Sequence, residues 1–281
     1  MRTLLEPFAY GFFRHAIWVA VLTGALCGLI GTYVVLRAMS YIGHGLSHAV
    51  FGGAAIAFVL GVHPLLGAFV IGVVASGLIS GISRRRTIGA DAAIGVITSG
   101  LFAVGIAIIA VRNLGGFSDA LLFGSVLGVT SKDVVLVALT ASASAIVVFV
   151  RYRQLLFATF DPEVAEVSGV STVWIDLLLA LILASTITVT MNVVGVMLIA
   201  AMLVIPPVIG RLLTDSFHRM LWISVATGAV CGFGGVYLSY YLDWPSGATV
   251  VLTAAALFVV AYVVSSLRNR RPLPDAGFDV H

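Results

Sequence analysis

The chain has 281 residues, 60% of them hydrophobic and only 10% charged, with a formal net charge of +3. Soluble domains carry roughly 25% charged residues. So apolar a chain cannot cover a water-facing surface, which excludes a soluble globule and makes lipid its solvent. The small cationic excess could suit nucleic acid, but no basic stripe with interleaved aromatics is present, so no nucleic-acid partner is expected.

The amino-terminal MRTLLEPFAYGFFRHAIW has no small-residue cleavage site and flows directly into the first apolar run. Residues 1–15 read as an interfacial amino-terminal helix. Apolar runs near the roughly 20 residues that cross a bilayer fall at 16–36, 43–60, 62–82, 90–111, 134–150, 172–190, 193–213, 220–241 and 246–267. The expected fold is an all-α polytopic transmembrane bundle of eight or nine spans, forming one domain over 1–281. Cys27 and Cys231 fall inside apolar runs and read as small buried fillers.

Arginine placement orients the spans. With the Arg84, Arg85, Arg86 cluster in the cytoplasm, alternating crossings put Arg37, Arg151, Arg153, Arg211, Arg219, Arg268, Arg270 and Arg271 on the same side. Arg2, Arg14, Arg112 and Lys132 then lie outside. The positive-inside rule selects this orientation. It predicts a multi-pass protein of the cell membrane with a cytoplasmic tail over 268–281.

Within the second run, His44 and His48 are four residues apart and share one helical face. Two imidazoles at that spacing can present paired nitrogens to a metal ion. They can equally be neutral groups hydrogen-bonded to neighbouring helices. Gly43, Gly45, Gly52 and Gly53 around them suit close helix packing and leave room for an ion. The segment 112–133 is apolar and glycine-rich, which fits a re-entrant or short broken helix as well as a surface helix.

The loop FATFDPEVAEVSGV has Asp161 as an N-cap, Pro162 at the first helical position, Glu163 at the positive end and Gly169 as the stop. It reads as a short helix on the arginine-rich side, either meeting a cytoplasmic partner or lying flat on the membrane. Thr186, Thr188, Thr190 and Asn192 either line a polar path or satisfy their own backbones. A break is expected at Thr190, Met191 and Asn192, and a kink or end at Pro206–Pro207. Asp176 suits pairing with an interfacial arginine, and Asp243–Trp244 an outer turn. No phosphate loop, dinucleotide fingerprint, nucleophile elbow or HExxH pair is present, so no covalent chemistry or ATP hydrolysis is expected on this chain.

These features together resemble the permease subunits of bacterial ABC importers for zinc and manganese, the ZnuB/MntB-like family. The words that carry the resemblance are GTYVVLRAMSYIGHGLSHAVFGGAAIAF, LLFGSVLGVTSKD, FDPEVAEVSGV, VVGVMLIAAMLVIPPVIGRLL and DWPSGATVVL, in family order from near residue 24 to near residue 260. The resemblance implies a second permease chain, two cytoplasmic ATP-binding subunits and an extracytoplasmic metal-binding protein. It implies no bound cofactor, only a transported divalent ion: zinc, manganese or iron. Where relatives often read Gly-Asp-Ala-Leu-Ser-His, with Asp and His associated with the metal path, this chain reads Gly43, His44, Gly45, Leu46, Ser47, His48. Replacing a carboxylate with a nitrogen ligand leans toward zinc. The family's Pro-Ala-Ala word is here Pro206, Pro207, Val208. The family's coupling helix falls on 161–169, which implies ATPase contacts at Asp161, Glu163, Ala165, Glu166 and Gly169. Two rival readings are a permease for a metal chelate and an ATPase-independent secondary transporter, though mid-span carboxylates for ion coupling are nearly absent.

Overall fold

The structure is a computed structural model that describes residues 6–37, 40–83, 90–124 and 128–269. Among these, a 3-10 turn at Glu6–Ala9 precedes twelve α-helices and no strand occurs. They are α1 (Gly11–Leu36), α2 (Ser40–Val59), α3 (Pro64–Ser83), α4 (Ala90–Arg112), α5 (Gly115–Phe123) and α6 (Ser131–Val150). There follow α7 (Tyr152–Phe160), α8 (Pro162–Val167), α9 (Thr172–Val194), α10 (Val196–Leu213), α11 (Phe217–Leu242) and α12 (Ser246–Asn269). Seven of these (α1, α2, α4, α6, α9, α11 and α12) are long and apolar enough to cross a membrane, while α3 and α10 contain shorter apolar stretches. These nine coincide with the nine apolar runs of the sequence, and α5, α7 and α8 are the short connectors.

Helices suit this sequence because lipid offers no hydrogen-bond partners, and a helix satisfies every interior backbone group within itself. Packing then depends on how closely backbones can approach. α1 is the buried axis of the bundle and lies against α11 along a seam of small residues. A Cβ added at Gly24 would come within 2.0 Å of the Gly228 carbonyl oxygen, and one at Gly28 within 2.2 Å of the Ser224 carbonyl. α4, α6 and α12 are the least buried spans. Val96, Leu139, Ile146 and Val259 on them are exposed, a surface that lipid or another apolar protein face would cover.

The structure differs from the sequence expectations at several joints. α1 begins at Gly11, so residues 11–15 continue the first span instead of stopping short of it. α9 runs unbroken through Thr190 and Asn192 to Val194, and the break falls at Gly195, whose φ is +84°. Only glycine adopts that conformation without strain, and a Cβ there would also meet the Leu122 carbonyl oxygen at 2.4 Å. α5 therefore seats its end, closed by Gly124 at φ +72°, on the α9–α10 joint. It is a short helix of nine residues.

Pro206 and Pro207 neither end nor interrupt α10, which continues to Leu213. Proline is tolerated inside membrane helices where neighbours relieve the freed backbone and the ring has room. Here the ring of Pro207 lies over Gly31 of α1, where a Cβ would stand 2.8 Å from its Cγ. The Arg84–Arg86 cluster and residues 270–281 of the tail lie outside the described residues.

Candidate metal centre

α2 carries the two histidines, and glycine sets its position. A Cβ at Gly52 would come within 2.2 Å of the Leu101 carbonyl oxygen on α4, and one at Gly53 within 2.5 Å of the Gly67 carbonyl on α3. A Cβ at Gly45 would strike Ile94 and Thr98 of α4 at 2.7–3.0 Å. Three of the four glycines around the histidines thus serve close approach, whereas Gly43 meets only ordinary contact with Leu203. His44 and His48 are four and eight residues past Ser40, roughly 6 and 12 Å along a helix of about 30 Å.

The pair converges. The two Nε2 atoms are 3.3 Å apart, and the rings stand nearly perpendicular with centroids 4.8 Å apart. In the absence of an ion this is a hydrogen bond in which one Nε2–H donates to the other nitrogen. His44 is exposed and His48 half-buried, edge-on to Phe102 of α4 at a centroid distance of 4.6 Å. Phe102 fixes the inner ring, and sequence reasoning missed it because its partner lies on another helix. Nδ1 of His48 is buried without a hydrogen-bond partner among the described residues.

The separation has chemical content. Two nitrogens each about 2.0–2.1 Å from a tetrahedral ion stand roughly 3.3 Å apart, which is the separation observed. No group of three or more His, Cys, Asp or Glu gathers here among the described residues. Among the described residues the site thus offers two nitrogens.

The 161–169 segment folds as its residues dictate. The Asp161 carboxylate accepts from Val164 N–H at 3.0 Å, Pro162 opens α8, and Gly169 ends it at φ +80°. Glu166 accepts from the Thr172 hydroxyl. Ala165 is fully buried, while Val164 and Val167 are exposed, Val167 at 91%. These two valines were legible as apolar residues in a polar loop, but periodicity over six residues could not assign their faces.

Beside this segment, Arg37 at the end of α1 joins three elements. Its Nη1 donates to Asp176 of α9 at 2.5 Å and its Nε to the Thr159 hydroxyl of α7 at 3.1 Å. This is the arginine partner expected for Asp176, and it places α8 at the same end of the bundle as the start of α2.

The remaining candidates are structural. Thr186 and Thr190 donate to the carbonyls of Ile182 and Thr186, and both are buried, as is Thr188, whose hydroxyl has no partner among the described residues. Asp243 takes a left-handed conformation in the turn before an exposed Trp244. His15 meets Ser131, His63 accepts from Leu65 N–H, and His218 packs on Trp222. Both cysteines are free and buried.

Comparison with known proteins places this arrangement. The family model described as the ABC 3 transport family matches residues 9–265. The chain belongs to the ABC 3 transport family. This ABC 3 protein is 35% identical over 260 residues to the manganese transport system membrane protein MntB of Synechocystis, covering 92% of this chain and 85% of that one. It is 34% identical over 265 residues to the chelated iron transport system membrane protein YfeC of Yersinia pestis, covering 93% and 89%. Among solved structures it is similar to PsaBC from Streptococcus pneumoniae in complex with Fab, with a TM-score of 0.86 and 30% identity over 95% of this chain and 99% of that one. The likeness read from the five sequence words holds at the level of the family. This ABC 3 chain is a membrane transport subunit, and its work is passage, not bond-making.

Proposed function

We propose that this chain is the permease of an importer that carries a divalent transition metal into the cytoplasm by alternating access, with the ion passing the His44–His48 pair. The observation that carries the reading is the Nε2–Nε2 separation of 3.3 Å on one helical face, which matches the bite of a tetrahedral ion. Relatives that transport manganese and chelated iron support the class of cargo. The two imidazoles favour zinc, the softer-ligand choice, over manganese. A pathway between two chains would let a second copy complete the ligand set, since an exposed His44 is free to face it. The C-terminus is cytoplasmic, in accord with the arginine bias.

In this reading α8 receives a cytoplasmic ATP-binding subunit, one for each of two permease chains. Val164, Val167 and Glu163 form the contact; Asp161, Glu166 and Gly169 shape the helix, and the buried Ala165 seats it. An extracytoplasmic protein delivers the ion at the opposite end. The chain itself hydrolyses nothing.

Element analysis of cells lacking and overexpressing the chain, across zinc, manganese and iron, tests the cargo. One of these metals is expected to fall on deletion and rise on overexpression. Unchanged contents of all three would overturn the proposal, and a response only to chelated metal would favour the chelate reading suggested by the YfeC likeness.

A further inference from the structure

A cavity of about 530 Å³ lies on the outer surface of the bundle where the ends of α6, α7 and α9 meet, and neither His44 nor His48 lines it. Its lining changes character along its length. Arg151, Gln154 and Ser171 line it near the helix ends, and Ile146 and Leu178, five residues before Arg151 and seven after Ser171, line it further along α6 and α9. A second hollow of about 470 Å³ shares Val150, Arg151 and Gln154 and adds Arg153. No carboxylate lines either hollow. Neither Arg151 nor Arg153 has an ion-pair partner among the described residues. Arg151 spends one N–H on the Gln154 amide oxygen at 3.0 Å, which holds the guanidinium over the cavity mouth. Asp176, the nearest carboxylate on α9, is directed instead to Arg37.

The surroundings set this mouth at the edge of the apolar layer. Trp174 in the lining is exposed, and Phe149 stacks on the exposed Trp222 at 6.1 Å. Aromatics of this kind mark the level of lipid headgroups. Ile146 and Val150, five residues and one residue before Arg151, are also exposed and so face acyl chains. The cavity therefore has a cationic end at headgroup level and an apolar end at tail level.

We infer that this cavity binds an anionic phospholipid. Its phosphate accepts hydrogen bonds from Arg151 and Arg153, and one acyl chain lies along Ile146, Val150 and Leu178. A second copy of this chain fits less well, because an isologous contact would bring two unpaired cations against the same two. A free phosphate would leave the apolar half without an occupant. The rim includes Gly169 and Ser171, the joint between α8 and α9, so an occupied site also braces the short helix. The binding itself does not depend on the transport reading.

Native mass spectrometry of the full chain purified in neutral detergent, titrated with phosphatidylglycerol or phosphatidylcholine, tests the site. Each arginine near an anionic headgroup adds about fivefold, so phosphatidylglycerol is expected to be retained at least about tenfold more strongly. Gln154→Glu, nearly isosteric, places a carboxylate beside Arg151 and is expected to erase most of that preference. The Arg151→Ala, Arg153→Ala double variant should do the same, while Arg219→Ala, at a residue outside both linings, should not. Equal retention of the two lipids by the unaltered chain would overturn the inference. So would a preference untouched by Gln154→Glu, full displacement of the lipid by millimolar glycerol phosphate, or efficient disulfide cross-linking of Val150→Cys between two copies.

Discussion

At the residue scale the proposed metal path rests on two side chains. His44 and His48 hydrogen-bond to each other through Nε2, so in the proposed passage an entering ion would first break that contact. Replacing His44 with aspartate exchanges an imidazole for a hard oxygen donor. In vesicle uptake with zinc and manganese in competition, His44→Asp is expected to move the preference toward manganese by about threefold or more. An unchanged ratio would remove His44 from the ion's path. Arg37 makes a different prediction. Its side chain is 9% exposed and that of Asp176 37%, so losing the acid strands the more deeply buried charge. Asp176→Asn is expected to cost about 3 kcal/mol, read as a lowered unfolding midpoint in detergent. A midpoint equal to the unaltered chain's would mean that the Arg37 charge does not depend on the carboxylate for its stability. Of these residues the histidine pair was readable from spacing and the aspartate from its place near a span end. Phe102 and Thr159 were not, because both act across helices and local sequence holds no record of that pairing.

At the scale of elements, glycine governs what hydropathy cannot see. The apolar runs were legible because each must span about 20 residues without charge, and nine helices follow them. The joints were less so. Polarity at Thr190 and Asn192 suggested a break that the helix does not make, since buried threonine can return its hydroxyl to the preceding turn. The break falls instead at Gly195, where φ is +84°. Two prolines in sequence suggested a kink or an end; the helix does not end there, and Gly31 on a distant helix makes room for the ring. The α1–α11 seam offers the direct test. Gly24→Ala would press a Cβ to 2.0 Å from a backbone oxygen and is expected to cost about 2 kcal/mol or more. Gly77→Ala, which meets nothing within 4 Å, should be neutral or slightly stabilising, since alanine suits a helix better. Equal unfolding midpoints for the two variants would contradict glycine-governed packing.

For the whole molecule, buried and exposed spans divide the labour. α1 and α10 form a core that glycine draws tight, while α2 holds its histidine pair at the margin with His44 open. The Arg37–Asp176–Thr159 junction ties the end of α1 to α7 and α9, which flank α8. In the proposed reading, force applied at α8 would have a short route through packed elements to α2, which carries the histidine pair. The most direct measurement is metal uptake into vesicles holding the full transporter, comparing the unaltered chain with His48→Ala at matched folding and ATPase activity. Uptake is expected to fall about tenfold or more, the scale seen when ligation is impaired, while ATP hydrolysis continues. Undiminished zinc and manganese uptake through a folded His48→Ala transporter would contradict passage of the ion by the histidine pair.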